Sequence, residues 1–243
     1  MTMEPRTSII KKRLQTVSRI IAVASGKGGV GKSLVASALA LSLVKKGHLV
    51  GLLDLDLYGP SSHIILGVTD VFPKEENGLI PPTVHGIEFM SIVYFTEEKP
   101  SPFRGVDITN IILELLAITR WGRLDYLIID MPPGIGDETL DVMRFIQQSE
   151  FLVVTTPSKV AMGAVNKLLV LLKELKKPVL GVLENMAMND SSYIQKEVKI
   201  LGLPYLGKIM FDKTLEDAIG DPDQLSTTKF MKELERILKK TTI

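Results

Sequence analysis

The sequence predicts an α/β domain built on a doubly wound, mostly parallel sheet with helices on both faces. Two observations carry this. Short β-rich apolar runs alternate with segments of helical period along most of the chain. The first run ends in a glycine-rich turn that opens directly into the first long helix. Strand, turn, helix and strand in repetition imply right-handed crossovers and parallel neighbours.

The elements follow in order. "RIIAVAS" (19–25) is a short run that ends at glycines, as a buried parallel strand does. "KSLVASALALSLVKKG" (32–47) is a helix with Leu34, Val35, Ala38, Leu39 and Ser42 on one face and Gly47 as its stop. "HLVGLLDLD" (48–56) is a strand running into Asp54 and Asp56. Residues 57–104, with Gly59-Pro60 and Pro81-Pro82, read as loops over the sheet edge around one strand at 86–94. Then come a helix (107–121), a strand (125–130) ended by Pro132-Pro133, a helix (137–148) and a strand (151–156). A long amphipathic helix (161–177), a strand (178–185), a polar helix near 191–201, a strand (204–210) and a helix (228–240) complete the chain. There is no internal repeat and no low-complexity stretch. We divide the chain into a basic segment, 1–18, read as a tail or short helix without assigned function, and one domain, 19–243.

Composition narrows the chemistry. The 243 residues are 45% hydrophobic, enough for a sizeable core. The 29 basic and 28 acidic residues nearly cancel, so neither nucleic acid nor an anionic membrane is the expected partner. There is no cysteine, which excludes disulfides and cysteine-ligated zinc or iron–sulfur clusters on this chain alone. No apolar run is long enough to span a bilayer, and the first 20 residues lack the apolar region of a secretory signal. The expected location is the cytoplasm.

The turn at 25–33, "SGKGGVGKS", satisfies G-x-x-x-x-G-K-[S/T] with Gly26, Gly31, Lys32 and Ser33. It reads as a phosphate loop (P-loop), a cradle for a nucleoside triphosphate. The main chain of Gly26, Lys27, Gly28, Gly29, Val30, Gly31, Lys32 and Ser33 curls with N–H groups inward, and the following helix adds its positive end. Lys32 neutralises the β- and γ-phosphates, and Ser33 coordinates Mg²⁺. In open parallel sheets ligands bind beyond the carboxyl ends of the strands. Residues 54–60, 130–138, 155–159 and 184–186 are expected at that same edge. Asp130, ending an apolar strand ahead of Pro-Pro-Gly, is placed for the Mg²⁺ side. Asp56 is placed to orient the attacking water, and Gly134 to offer its N–H to the γ-phosphate. Strand-end capping is the plainer role for Asp54 and Asp56. The lysine at the second loop position, Lys27, points away from its own phosphates. It suits the nucleotide of a facing subunit, stabilising transition-state charge as an arginine finger does, which predicts a two-fold dimer.

"GKGGVGKS" resembles the deviant Walker A loop of the MinD, ParA and nitrogenase-iron-protein class. Within that class the chain resembles the Mrp/ApbC family of P-loop ATPases from about residue 17 to 240. The stretches that carry the resemblance are "DLDLYGPSS", "FRGV", "WGRLDYLIIDMPPGIGDETL", "VVTTPSKVAM", "PVLGVLENM" and "LGKI". The resemblance implies a homodimer that binds and slowly hydrolyses ATP, with a role in iron–sulfur cluster assembly or transfer. It implies a trans-acting role for Lys27, the switch aspartate at Asp56 and the Mg²⁺-side aspartate at Asp130, so the residues grouped at the metal are Ser33, Asp56 and Asp130. It also implies an adenine-reading role for Asn185, whose amide can donate and accept at once. A turn residue is the plainer reading of Asn185.

One departure stands out. Cluster-carrying members of this family place C-x-x-C shortly after "ENM", whereas "ENMAMNDSSYIQKEVKI" (184–200) has no cysteine. His48, His63 and His85 are scattered and form no substitute motif. No cluster is expected on the isolated chain. A protein client, such as an iron–sulfur carrier, would have to bring the ligands. The alternative is a MinD- or ParA-like positioning or partition ATPase acting on a membrane or DNA. Its support is the last helix, where Phe230, Leu234, Ile237 and Leu238 share a face ringed by basic residues. A closing helix docked on the sheet explains the same stripe. Arg104 lies in the family-like "FRGV" stretch without a physical assignment.

Overall fold

The computed structural model describes residues 5–95, 105–189, 192–241 and 243. Arg104 lies outside the described residues. Helix α1 (Pro5–Arg13) precedes strand β1 (Val17–Ser25), helix α2 (Lys32–Lys45), strand β2 (Val50–Asp54) and the short helix α3 (Ser62–Ile65). Four strands follow: β3 (Lys74–Glu75), β4 (Leu79–Ile80), β5 (Thr83–Val84) and β6 (Ile87–Ser91). After them come α4 (Gly105–Ile118), β7 (Leu124–Asp130), α5 (Asp137–Phe145), β8 (Ser149–Thr155), α6 (Lys159–Glu174) and β9 (Val179–Ala187). The chain closes with α7 (Tyr193–Ile200), β10 (Tyr205–Met210), α8 (Pro222–Thr227) and α9 (Lys229–Leu238).

Eight strands form one sheet in the order β10-β9-β8-β1-β7-β2-β6-β5. All neighbours are parallel except β5, which pairs antiparallel with β6 at one edge. This is the α/β architecture the sequence predicts. The β5–β6 hairpin closes on His85-Gly86, both at positive φ (49° and 80°), the backbone that a tight two-residue hairpin needs. The sequence predicts loop here up to a strand at 86–94, so the pairing of β5 is an addition made by the structure.

The sheet separates two apolar layers. One packs α1, α4, α5, α6 and α7 against one face, and the other packs α2, α3, α8 and α9 against the opposite face. The chain leaves β1 toward α2 on the second face and leaves the adjacent β7 toward α5 on the first. The two connections diverge, opening a crevice at the carboxyl ends of β1 and β7.

Two elements, α2 and α1, differ from a reading by periodicity, and α9 docks on the sheet as a closing helix does. Helix α2 buries Ala36, Ser37, Ala40 and Leu43 in addition to the expected face, because α3 and α9 cover the side turned from the sheet. Helix α1 packs on α4, with Ile10 and Leu14 buried in the same layer as the sheet residues. Arg6 Nη2 donates to Asn110 Oδ1 at 2.9 Å, and Arg13 Nε donates to the Ala117 carbonyl at 3.1 Å. The apolar stripe of α9 faces inward, with Phe230, Leu234, Ile237 and Leu238 all buried. Among the described residues no helix is long and apolar enough to cross a membrane.

Candidate functional site

The site lies beyond the carboxyl ends of β1, β2 and β7, where register brings two carboxylates together. Asp54 and Asp130 are direct partners across the β2–β7 pair, and Asp130 is opposite Val23 of β1. Partners in a parallel pair share a face. Both side chains are fully buried. Burial, with the charge of Asp130 beside it, pushes the Asp54 carboxyl up to about 7. Burial likewise pushes the Asp130 carboxyl up, and the ammonium of Lys32 pulls it back.

A chain of contacts binds these groups to the phosphate loop. Lys32 Nζ donates to Asp130 Oδ1, lies 3.6 Å from Asp56 Oδ2, and reaches Ser33 Oγ at 3.3 Å. Ser62 Oγ donates to Asp130 Oδ2 at 3.2 Å, while the Ser62 N–H donates to Asp54 Oδ2 at 3.2 Å. Asp54 Oδ1 accepts the N–H of Asp56 at 3.0 Å, and Asp56 Oδ1 accepts the N–H of Gly59 at 3.1 Å. Lys32, Ser33, Asp56 and Asp130 are therefore gathered in one place. Asp54 is not a solvent-exposed cap. It holds the loop that presents Asp56.

The loop is shaped by its neighbours. Ser25 Oγ donates to the Lys27 carbonyl at 2.9 Å and fixes the first bend. A Cβ at Gly26 would come within 2.6 Å of the backbone of Ala164 and Val165 in α6, so only glycine fits there. Gly31 precedes α2 with φ 82°, and a Cβ on it would lie 2.3 Å from Asn185 Nδ2. Gly28 and Gly29 have open space where a Cβ would stand. The loop borders a cleft of about 280 Å³ whose far wall includes Asp56, Gly59, Ser61 and Pro133. Lys27 is exposed at its mouth and makes no ion pair among the described residues.

Two expected contacts are met differently. The N–H of Gly134 donates to the Ser25 carbonyl at 2.9 Å instead of facing the cleft, tying the turn after β7 to the loop. Asn185 is buried, and its Nδ2 donates to the Val30 carbonyl at 3.0 Å. Here Asn185 braces the phosphate loop from the end of β9. Sequence reasoning missed Ser25 and Ser62. A serine ending the first strand was a visible signal. Ser62 closes the family-like stretch "DLDLYGPSS", but its partners on β2 and β7 are not visible in the sequence.

The donor set fits Mg²⁺, since Ser33, Asp56 and Asp130 offer only hard oxygens. Among the described residues no group of three or more His, Cys, Asp or Glu side chains is arranged to hold an ion unaided. A magnesium ion suits such a place when substrate phosphates complete its shell.

Comparison with known proteins agrees with this geometry. The profile of the ParA family, described as NUBPL iron-transfer P-loop NTPase, matches residues 16–240. An iron-sulfur cluster carrier protein of Pseudomonas fragi is 42% identical over 183 residues, 74% of this chain, and the match spans 64% of its own length. One from Pyrococcus furiosus is 35% identical across 98% of this chain and 91% of its own. A nucleotide-binding protein of Archaeoglobus fulgidus, solved in complex with ADP, superposes with a TM-score of 0.77 at 32% identity. That alignment covers 91% of this chain and 93% of the other. The septum site-determining protein MinD of Pyrococcus horikoshii, with Mg-ADP, shares the fold with a TM-score of 0.69 at 20% identity, covering 90% and 93%.

Proposed function

Because the chain belongs to the ParA/NUBPL family of iron-transfer P-loop NTPases, the family of the iron–sulfur cluster carrier proteins, we propose that it is a Mg²⁺-dependent ATPase acting as a homodimeric switch. Its role is iron–sulfur assembly or transfer in the cytoplasm. The observation that carries this reading is the convergence of Lys32, Ser33 and Asp56 on one cleft at the switch point of the sheet, with Asp130 buried against Lys32.

The glycine-rich loop cradles the triphosphate with its amides. Lys32 exchanges the Asp130 carboxylate for the β- and γ-phosphates. Ser33 turns its hydroxyl, and Asp130 its released carboxylate, toward the metal side of the cleft. Ser33, Asp56 and Asp130 would hold Mg²⁺, which would supply charge neutralisation at the phosphates. Asp56, anchored through Asp54, orients the attacking water. Lys27, exposed at the mouth, reaches the nucleotide of a second copy and stabilises charge on the transferred phosphoryl group. Asn185 sets the position of the loop against β9, and the family resemblance assigns its amide a contact with the adenine once ATP is bound.

The cargo poses a separate requirement. The chain has no cysteine. A cluster handled here takes its thiolate ligands from a partner, and the ATPase serves to open and close the docking of that client. The inward-facing stripe of α9 favours this reading over a lipid-bound positioning ATPase.

Calorimetry with Mg-ATP, followed by steady-state turnover of wild type and Lys27→Ala, tests the reading. ATP binding should persist in the variant while turnover falls by about 10²-fold. Unchanged turnover would remove the trans-acting lysine, and no heat of binding to wild type would remove the ATPase itself.

A further inference from the structure

A cleft of about 540 Å³ lies between the last turns of α5 and α6. Its apolar lining is Leu140 and Met143 of α5 and Leu175, the residue that follows α6. Leu140 and Leu175 are exposed at the rim, and Met143 is buried as part of the core layer beneath. Arg144, Lys176 and Lys177 supply the charge, and no acidic residue lines the cleft. Among the described residues none of these three cations forms an ion pair. Lys177 Nζ donates to the carbonyls of Ile146 and Gln147 at 3.3 and 3.1 Å, tying the two helix ends together. Burial lowers its ammonium, and no carboxylate raises it again. Arg144 rests its guanidinium over the Phe145 ring at 5.8 Å, a contact that leaves its charge without a carboxylate. Lys176 is exposed beside it.

The backbone at Lys176 is the second observation. The Lys177 N–H donates to the Leu172 carbonyl at 2.8 Å, and the Lys176 N–H donates to the Lys173 carbonyl at 3.1 Å. This pair of bonds stops a helix and needs a left-handed residue at its centre. The same pair ends α2 at Gly47 (φ 87°) and α7 at Gly202 (φ 71°). At the end of α6 the left-handed residue is Lys176, with φ 52°. Glycine takes this backbone without strain and a lysine does not. The helix stop alone therefore does not account for the lysine. What it adds over glycine is a cation at the rim of the cleft.

We infer that this cleft docks a short acidic amphipathic segment of a partner protein, its apolar side chains on Leu140, Met143 and Leu175 and its carboxylates on Arg144 and Lys176. Apolar anchors in a groove supply affinity, and the unpaired cations select the charge of the occupant. A nucleic acid would meet the cations and leave the apolar floor wet. None of the lining residues borders the phosphate-loop cleft, so the inference stands whether or not the ATPase reading does.

The test uses the full chain and a short fluorescein-labelled peptide of repeating Leu-Glu-Glu-Leu. Anisotropy should rise with this peptide and not with Leu-Lys-Lys-Leu or Ser-Glu-Glu-Ser repeats, and binding should weaken as salt is raised. Arg144→Glu should weaken binding by about tenfold or more. Lys176→Gly should also weaken it while the thermal midpoint holds or rises, because glycine relieves the backbone. A merely structural lysine predicts the same gain in stability with no loss of binding. Equal binding of the three peptides, unchanged binding by both variants, or preference for vesicles of phosphatidylglycerol and phosphatidylcholine over the peptide would overturn the proposal.

Discussion

The ammonium of Lys32, at the floor of the cleft, is hydrogen-bonded to the fully buried carboxylate of Asp130, 98 residues away in the chain. The pair neutralises a buried carboxylate that would otherwise be costly to ionise. Under the proposed function, a triphosphate entering the cleft would displace a carboxylate from Lys32, coupling binding to the release of Asp130. Ser62 holds the other oxygen of the same carboxylate, and that contact can be tested.

Replacing Ser62 with alanine removes the hydroxyl bond to Asp130 and keeps the backbone bond to Asp54. We expect a stability loss of about 1–3 kcal/mol from the carboxylate oxygen left unsatisfied. Turnover should fall roughly tenfold while the ATP Kd stays within about threefold, the pattern of a group that orients and does not bind. Denaturant titration and a comparison of kcat with Kd check this. An equal loss in both would place Ser62 in ground-state binding.

Gly31 and Asn185 should be coupled. Gly31→Ala brings a Cβ against Asn185 Nδ2 and also demands φ 82° of alanine. We expect a cost of about 1–3 kcal/mol from the backbone alone, and a further loss of ATP affinity as the loop is pushed from β9. Adding Asn185→Gly to that variant should recover part of the loss, measurable as a non-additive double-mutant cycle. Strict additivity would show that the two residues do not touch in solution.

Leu234 is fully buried between α9 and the sheet. Leu234→Ala should destabilise the protein by about 2–5 kcal/mol, read from the denaturation midpoint. A lipid-facing stripe predicts almost no change in stability and a loss of liposome co-sedimentation.

Glu184 is fully buried on β9, with Oε2 accepting the Tyr205 hydroxyl at 2.7 Å and Oε1 without a hydrogen-bond partner among the described residues. Burial raises its carboxyl, and the bond from Tyr205 and the charge of Lys208 lower it again. With its folded pKa above the unfolded value, the group favours the fold in its protonated form. That contribution is complete below the ordinary glutamate range and fades as pH rises through the raised value. Glu184→Gln should therefore flatten the stability profile just above the usual glutamate range, and Tyr205→Phe should steepen it. Urea unfolding across that interval measures both. A wild-type profile that matches Glu184→Gln would remove the effect.

Much of the site was legible because its chemistry is local. The loop from Gly26 to Ser33 must be glycine-rich to bring its amides inward, and a lysine and a serine must begin the following helix. Carboxylates at the ends of apolar runs, Asp54, Asp56 and Asp130, mark the carboxyl edge of a parallel sheet without knowledge of strand order. The contacts that assemble the site were not legible in the same way. The Asn185 bond to Val30 joins positions 155 residues apart, and the Ser62 bond to Asp130 joins positions 68 apart.

The sequence by itself determined the fold class, the place of the phosphate loop, the family and the absence of any cysteine ligand, since each is written in short-range pattern or composition. Only the tertiary structure decided that Lys32 pairs with Asp130, that Gly134 and Asn185 brace the loop and that α9 turns its apolar stripe inward. These depend on which strands become neighbours and in what register, which is settled by burying two apolar layers against one sheet. No local preference of the residues involved encodes that choice.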